Sequence, residues 1–462
     1  MAGNRMGNRM WQKRLEQFHT SVLWLTPGMG VKRHVSLAIL GTLLLTLGAL
    51  AGLLWIMRSD REVLSAPIED VLISDTWKSW GGWLALLLLI VGAFLAVEAV
   101  ARLNRSLLSN WMARPHEAAV VIHRRLALAK GPRIVALGGG SGLSNLLRGL
   151  RHYSSNLTAV VSVSDDGGSS GRLRHAFGMP APGDLVDCLA ALSDNEVQVS
   201  KLLDYRFTRG GELRGHTFGN LFITTLMEVE GDFAQAIRVL NAMLNICGVV
   251  YPVSTEAISL RARKVSGEVV VGESHIREVP GAIRQLSIEP ANPKLVSDVA
   301  LAIANAELIV LGPGSLFTST LPPLLVPGSR AALLTSPAPI VYVCNVMTEA
   351  GETDHFSAWD HVAVLEQHLG RYPDWVVLNR TPVDALRLAR YRAENAEEVQ
   401  VALEPFARAG IQVASLDLLS DGPHAQHDSA VLAKWLVDFA KSYPMHKPIP
   451  AVPKSPLEVS SL

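Results

Sequence analysis

Two aspartates stand side by side at the end of an apolar run. In VVSVSDDGGSSGRLRHAFG (Val160–Gly178), Asp165 and Asp166 follow the run Ala159–Val163 and lead into Gly167, Ser169, Ser170, Arg172 and Arg174. Carboxylates in this place hold ribose hydroxyls in dinucleotide folds. A pair of them can also hold Mg²⁺ or accept a proton from an attacking hydroxyl. Arginine offers phosphate oxygens a planar fork of donors. Glycine and serine let backbone N–H groups turn toward an anion. Asp-Gly is also common in solvated turns, so both readings stand at this point.

Five other stretches carry polar residues at places where chemistry is feasible. IVALGGGSGLSNLLRGL (Ile134–Leu150) has the pattern of a strand, a glycine turn and a helix, which brings Gly138, Gly139, Gly140, Ser141 and Gly142 toward a ligand. Its spacing is not GxGxxG, because the third place falls on Leu143, and it lacks the Lys-Ser/Thr of a P-loop. GPGSLFTSTLPPLLVPG (Gly312–Gly328) is a second glycine loop, with Gly312, Gly314, Ser315, Thr318 and Ser319 as an anion cradle. VCNVMTEAGET supplies Asn345, Thr348 and Thr353 for a sugar or a base. PGDLVDCLAAL (Pro182–Leu192) reads as a helix start with Asp184 as N-cap or first-turn acid, and in RGHTFGNLFI (Arg214–Ile223) His216 and Asn220 share a helix face.

These residues need a scaffold, and the pattern from Gly131 onward supplies one. Short Val/Ile/Leu runs alternate with helical patterns, which predicts a parallel α/β sheet. The runs Arg133–Leu137, Ala159–Val163, Leu308–Leu311 and Ile340–Cys344 each end in one of the polar loops above. In open parallel sheets ligands bind beyond the carboxyl ends of the strands, so the four loops are expected around one crevice.

The rest of the chain has a different character. The 462 residues carry zero formal net charge, without the basic domain of a nucleic-acid-binding protein. The three cysteines, Cys188, Cys247 and Cys344, are far apart and fit neither a disulfide framework nor a zinc site. Val35–Met57 and Gly81–Val97 with its short continuation are long and apolar enough to span a bilayer. Arg5, Arg9, Lys13, Arg14, Lys32 and Arg33 precede the first span, and Arg102, Arg105 and Arg114 follow the second, whereas the loop between is mostly acidic. The positive-inside rule then places both termini and the main domain in the cytoplasm, at the inner membrane. The expected organisation is an arm (1–34), spans at 35–57 and 81–100 joined by an external loop (58–80), a connecting helix (101–130), an α/β domain (131–443) and a disordered tail (444–462).

Taken together, GGGSGL, VSDDGGSSGRLR, PGDLVDCLAAL, GHTFGNLFI, LIVLGPGSLFTS, LPPLLVPG and VYVCNVMTEAGET resemble the gluconeogenesis factor (YvcK-like) family, a relative of the CofD-like 2-phospho-L-lactate transferases. The resemblance runs from about Pro132 to Lys441. It implies a Rossmann-like, mostly parallel sheet with helices on both faces, here preceded by two transmembrane helices. It also implies binding of a UDP-sugar such as UDP-N-acetylglucosamine, and a role in cell shape, cell-wall precursor supply and central carbon metabolism. The transferase branch moves a phospholactyl group to a deazaflavin alcohol with Mg²⁺, and by resemblance Asp165 and Asp166 match its acidic, metal-proximal motif. Near the C-terminus Tyr391 falls on the family's tyrosine, while an Arg-His-Asp motif reads Gln426-His427-Asp428 here.

The function expected from the sequence is a membrane-anchored, non-catalytic nucleotide-sugar-binding regulator. The alternative is a Mg²⁺-dependent transferase of the phospholactate type, and an NAD(P)-binding oxidoreductase would need the missing GxGxxG. Expected partners are the nucleotide sugar, the membrane, envelope-synthesis proteins and further copies of the chain, but not nucleic acid.

Overall fold

The computed structural model describes residues 31–59, 75–109 and 118–443. They belong to two units, Met1–Arg124 and Arg125–Leu462. The expectations for the arm before residue 31, the loop at 60–74 and the tail from 444 lie outside the described residues.

The first unit is built on helices α1 (Val31–Ser59) and α2 (Asp75–Ser109). Within them Arg33–Ile56 and Trp80–Ser106 are long and apolar enough to cross a membrane. The two helices pack along glycines. A Cβ on Gly41 would lie 2.7 Å from the Ala96 nitrogen, and one on Gly92 2.8 Å from the Leu45 nitrogen. Small residues that let backbones approach this closely are how helices associate in lipid, where apolar side chains gain nothing by leaving one apolar surface for another. Ile39, Leu50, Phe94 and Val97 are correspondingly exposed. At the far end of the second span Glu98 pairs with Arg102, one turn on, at 2.8 Å. The stretch from 101 to 130 holds the end of α2 and then a further helix, α3 (Ala118–Ala129).

The second unit is organised by a seven-stranded sheet, order β10-β9-β8-β7-β1-β2-β3. Every pairing in it is parallel. Its central strands β1 (Ile134–Gly138), β2 (Leu157–Val161), β7 (Leu308–Leu311) and β8 (Ile340–Val343) are buried almost throughout. Continuous apolar runs suit strands covered on both faces, where alternation would place polar groups in the core. From β1 the chain moves outward to β2 and β3 (Val249–Pro252), then returns to the other side of β1 for β7, β8, β9 (Trp375–Asn379) and β10 (Gln412–Leu416). Connections from β1 and β7 therefore diverge, which opens a crevice between them.

Helices α4 (Gly140–Leu150), α5 (Gly168–Phe177), α6 (Gly183–Leu192) and α7 (Phe218–Glu230) follow the first two strands. Between β3 and β7 the chain inserts a second, antiparallel sheet, order β5-β4-β6, from β4 (Ser259–Lys264), β5 (Val269–Val271) and β6 (Ile283–Glu289). A short helix, α8 (Glu273–Glu278), lies between β5 and β6. The last described helix, α9 (Ser429–Ser442), packs on α4 so closely that a Cβ on Gly149 would lie 2.0 Å from the Ser429 carbonyl oxygen.

Candidate functional site

The four polar loops follow β2, β1, β7 and β8, neighbouring strands in that order. They border a crevice of about 520 Å³. Its floor is the pair of glycine loops at the switch point. Gly139 is extended, and Gly140, at φ +60°, turns the chain into α4. Neither loop tolerates a side chain where they touch: a Cβ on Gly142 would lie 2.4 Å from the Pro313 carbonyl oxygen. One on Gly139 would lie 2.3 Å from Asp184 Oδ2. The glycines are thus required by the closeness of the second loop and of a carboxylate, and they leave backbone open to the crevice.

Asp184 has a larger role than the helix cap read from sequence. It lies in the first turn of α6 and lines the crevice, where burial, reinforced by Asp187, pushes its carboxyl up to about 7 despite a hydrogen bond from the Gly140 N–H. Asp165 and Asp166 part company. Asp165 lines the crevice and accepts the Gly167 N–H at 2.9 Å. Asp166 turns to the inserted sheet, where Oδ1 accepts both the N–H and the hydroxyl of Ser274, at 2.9 and 2.8 Å. The two carboxylates thus have different hydrogen-bond partners, and among the described residues no group of three or more His, Cys, Asp or Glu is placed to hold a metal ion.

The wall opposite the first glycine loop comes from the insertion and the loop after β8. Glu273 and Arg277, one turn apart on α8, both face the crevice. Glu273 accepts the Ser164 hydroxyl at 3.0 Å, and its pKa is raised by burial and by Asp184 and Asp165. Arg277 donates from Nε to Glu352 at 3.0 Å and from Nη2 to Thr318 Oγ1 at 2.9 Å. Glu352 is fully buried and also takes the Ser315 hydroxyl. Asn345 receives the Gly314 N–H at 3.4 Å and donates to Glu349 at 3.3 Å. Glu349 is pushed up by burial and by Glu352. Thr348 lines the crevice and accepts the Glu397 N–H at 2.9 Å.

The far end is closed by Tyr391, Gln426 and His427. Tyr391 Oη accepts the Ala425 N–H at 3.1 Å. His427 is held by the Cys344 carbonyl at 3.1 Å, and burial lowers its pKa to about 4. Asp428 caps α9 through the Ala430 and Val431 N–H groups.

The remaining residues singled out in the sequence lie to one side. Ser169, Ser170 and Asn220 line a neighbouring cavity that shares Asp165 and Asp184 with the crevice. Asn220 donates to both serine hydroxyls, and His216 Nδ1 meets Ser169 Oγ at 3.0 Å. Arg172 donates to His216 Nε2 and the Arg214 carbonyl rather than facing the crevice. Arg174 is buried and donates to the Ser164 carbonyl and to Ser259 Oγ, tying the loop to β4. Sequence reasoning missed Glu273, Arg277 and Glu349. The only available signal was the alternation of β4, which marks the insertion, and the acidic pair in TEAGET.

An open parallel sheet whose switch point holds two interlocked glycine loops, roofed by polar side chains, defines an α/β protein of the doubly wound kind. The family model described as 2-phospho-L-lactate transferase CofD matches residues 134–419. The gluconeogenesis factor of Bacillus subtilis is 40% identical over 316 residues, 68% of this chain and 100% of that one. A relative from Deinococcus radiodurans is 42% identical over 390 residues, 81% of this chain and 80% of that one. The crystal structure of protein BH3568 from Bacillus halodurans superposes with a TM-score of 0.65 at 38% identity, covering 66% of this chain and 99% of that one. The chain belongs to the CofD family, and within it to the group of gluconeogenesis factors.

Proposed function

We propose that the crevice binds a nucleotide sugar of the UDP-N-acetylglucosamine kind and that the protein acts as a membrane-anchored regulator of cell-wall precursor supply, cell shape and central carbon metabolism. The observation that carries the reading is the pair of interlocked glycine loops at the switch point, whose backbone N–H groups suit a diphosphate. Asn345, Thr348 and Tyr391 at the other end supply hydrogen-bonding groups for a sugar or base. Helices α1 and α2 serve as the anchor, with the second unit on the cytoplasmic side, where nucleotide sugars are made. Envelope-synthesis proteins in the same membrane and other copies of the chain are its partners in this reading. Calorimetry with UDP-N-acetylglucosamine on the full chain in detergent micelles tests it. Saturable binding without turnover is expected, and absence of binding refutes it.

The description of the family model favours a second reading, a transferase of the phospholactate type. In that reading Asp165 and Asp184, which face the crevice together, are the carboxylates available for proton transfer, and Mg²⁺ would accompany the donor. Incubation with guanosine diphosphate-linked phospholactate, a deazaflavin alcohol and Mg²⁺ decides between the two: product formation establishes the transferase.

A further inference from the structure

Arg277 is the one lysine or arginine among the described residues that line the crevice, and it comes from the helix of the insertion rather than from a loop of the main sheet. Its Nε and Nη2 are engaged by Glu352 and Thr318, and Nη2 also lies 3.8 Å from Glu273 Oε1, whereas Nη1 has no hydrogen-bond acceptor among the described residues. The guanidinium is thus held by one edge and offers the other. What holds the backbone behind it is unusual. Along β4 exposed and buried positions alternate, and the alternation brings Lys264 inward, where it is 1% exposed. Its Nζ donates to the carbonyls of Ile276 and Gly281, each at 3.0 Å, and to that of Gly351. Ile276 precedes Arg277, and Gly351 precedes Glu352. The turn at Gly351, φ +78°, is pressed against α8 so that a Cβ there would lie 2.8 Å from the Arg277 carbonyl oxygen. A buried ammonium satisfied by three carbonyls from two separate segments fixes one segment on the other.

We propose that the inserted sheet is the ligand-reading arm of the crevice: Arg277 donates to the anionic group of the ligand, and Lys264 is the positioning residue that keeps Arg277 in register by stapling α8 to the Gly351 turn. A lysine that only fills space between carbonyls would stabilise the insertion as a whole. The staple joins the two segments that carry Arg277 and its buried partner Glu352, so its loss acts on the crevice through Arg277. The inference rests on the reading of the crevice as a site for a phosphorylated ligand, and its test separates the two.

Calorimetry on the full chain with UDP-N-acetylglucosamine, and with uridine as the phosphate-free probe, is run for wild type, Lys264→Met, Arg277→Lys and the double variant. Arg277→Lys keeps the charge beside Glu352 and loses the fork, so the chain is expected to fold and to bind the nucleotide sugar about tenfold more weakly or worse. Lys264→Met is expected to lose affinity comparably, and the double variant to bind within about twofold of Arg277→Lys, because coupled residues are not additive. Uridine affinity is expected to be unchanged throughout. Wild-type affinity in Lys264→Met, or losses that multiply in the double variant, would overturn the positioning role, and wild-type affinity in Arg277→Lys would overturn the anion contact. Hydrogen exchange provides the ligand-free arm: in Lys264→Met it is expected to rise in 273–281 and 349–354 and nowhere else. Unchanged exchange there defeats the staple even if no nucleotide sugar binds, whereas failure of wild type to bind defeats only the reading of the crevice. Should Lys264→Met not fold, Arg277→Lys still decides the contact with the anion.

Discussion

Replacing Asp184 by Asn should make the protein more stable, by an amount that grows as pH rises from about 4 to neutrality. In the folded chain burial and the neighbouring Asp187 raise the Asp184 carboxyl to about 7. In the unfolded chain it titrates near its ordinary value of about 3.9. Between those values the folded state binds the extra proton, so stability falls as pH rises through this window, and above pH 7 the full cost of the buried charge is present. Below about pH 4 both states are protonated and the cost disappears. Three pH units at about 1.4 kcal/mol each give about 4 kcal/mol as an upper bound. The side chain is partly open to the crevice, and water returns some of that energy, leaving about 2–4 kcal/mol. Asn retains an oxygen to accept the Gly140 N–H and carries no charge. Calorimetric unfolding of the full chain in detergent micelles at pH 8 should therefore show Asp184→Asn melting roughly 4 °C or more above wild type, at about 2 °C per kcal/mol for a body of this size. At pH 4.5 the gain should shrink to about 1 kcal/mol. A variant less stable than wild type at pH 8, or equally stabilised at both pH values, would show that Asp184 is not a buried acid held against its charge.

Three further outcomes are expected. Gly142→Ala drives a methyl group into the Pro313 carbonyl and should cost about 1–3 kcal/mol of stability and abolish nucleotide-sugar binding, whereas Gly138→Ala, whose new Cβ meets nothing closer than 3.7 Å, should do neither; calorimetry of the pair checks this. Arg172→Ala should affect UDP-N-acetylglucosamine affinity less than Arg277→Lys does, since Arg172 faces His216; a loss of about tenfold or more in titration would restore the phosphate clamp expected from sequence. Protease added to intact cells should leave residues 131–443 uncut if α1 and α2 anchor the chain with its second unit inside, and cleavage there would invert the proposed topology.

The fold was legible because its signal is local. IVALG, LIVL and IVYV are uninterrupted apolar runs, and each is a buried central strand ending in a loop that the sequence marks with Gly, Pro or Asn. The floor of the crevice was legible for the same reason, since the glycines that let Gly139–Gly142 and Gly312–Gly314 meet lie next to those strands. The roof was not. Glu273 and Arg277 sit on a six-residue helix in an insertion between β3 and β7, and nothing in ESHIRE says that it reaches the crevice. Nor does local pattern separate two adjacent aspartates. Asp166 is drawn away from the crevice by Ser274, 108 residues further on, a partner visible only once the second sheet is in place.

The distribution of charge in the crevice constrains how any diphosphate is held. Asp165, Asp184, Glu273 and Glu349 face it against the single guanidinium of Arg277, and His427 is kept neutral by burial. Gln426, at the far end, brings hydrogen-bonding groups but no charge. In the proposed reading Coulomb attraction to side chains would not carry the binding of a diphosphate, and the burden would fall on directional donors: the backbone N–H groups of the two glycine loops, which bring no charge to be desolvated, and one arginine whose geometry Lys264 is proposed to fix from behind. The raised carboxyls fit the same logic. At neutral pH burial keeps Asp184 partly protonated, and a protonated acid beside an anion donates where an ionised one would repel. A site of this kind gains selectivity from alignment more than from charge, and so it depends on the contacts that hold its two loops and its inserted arm in register.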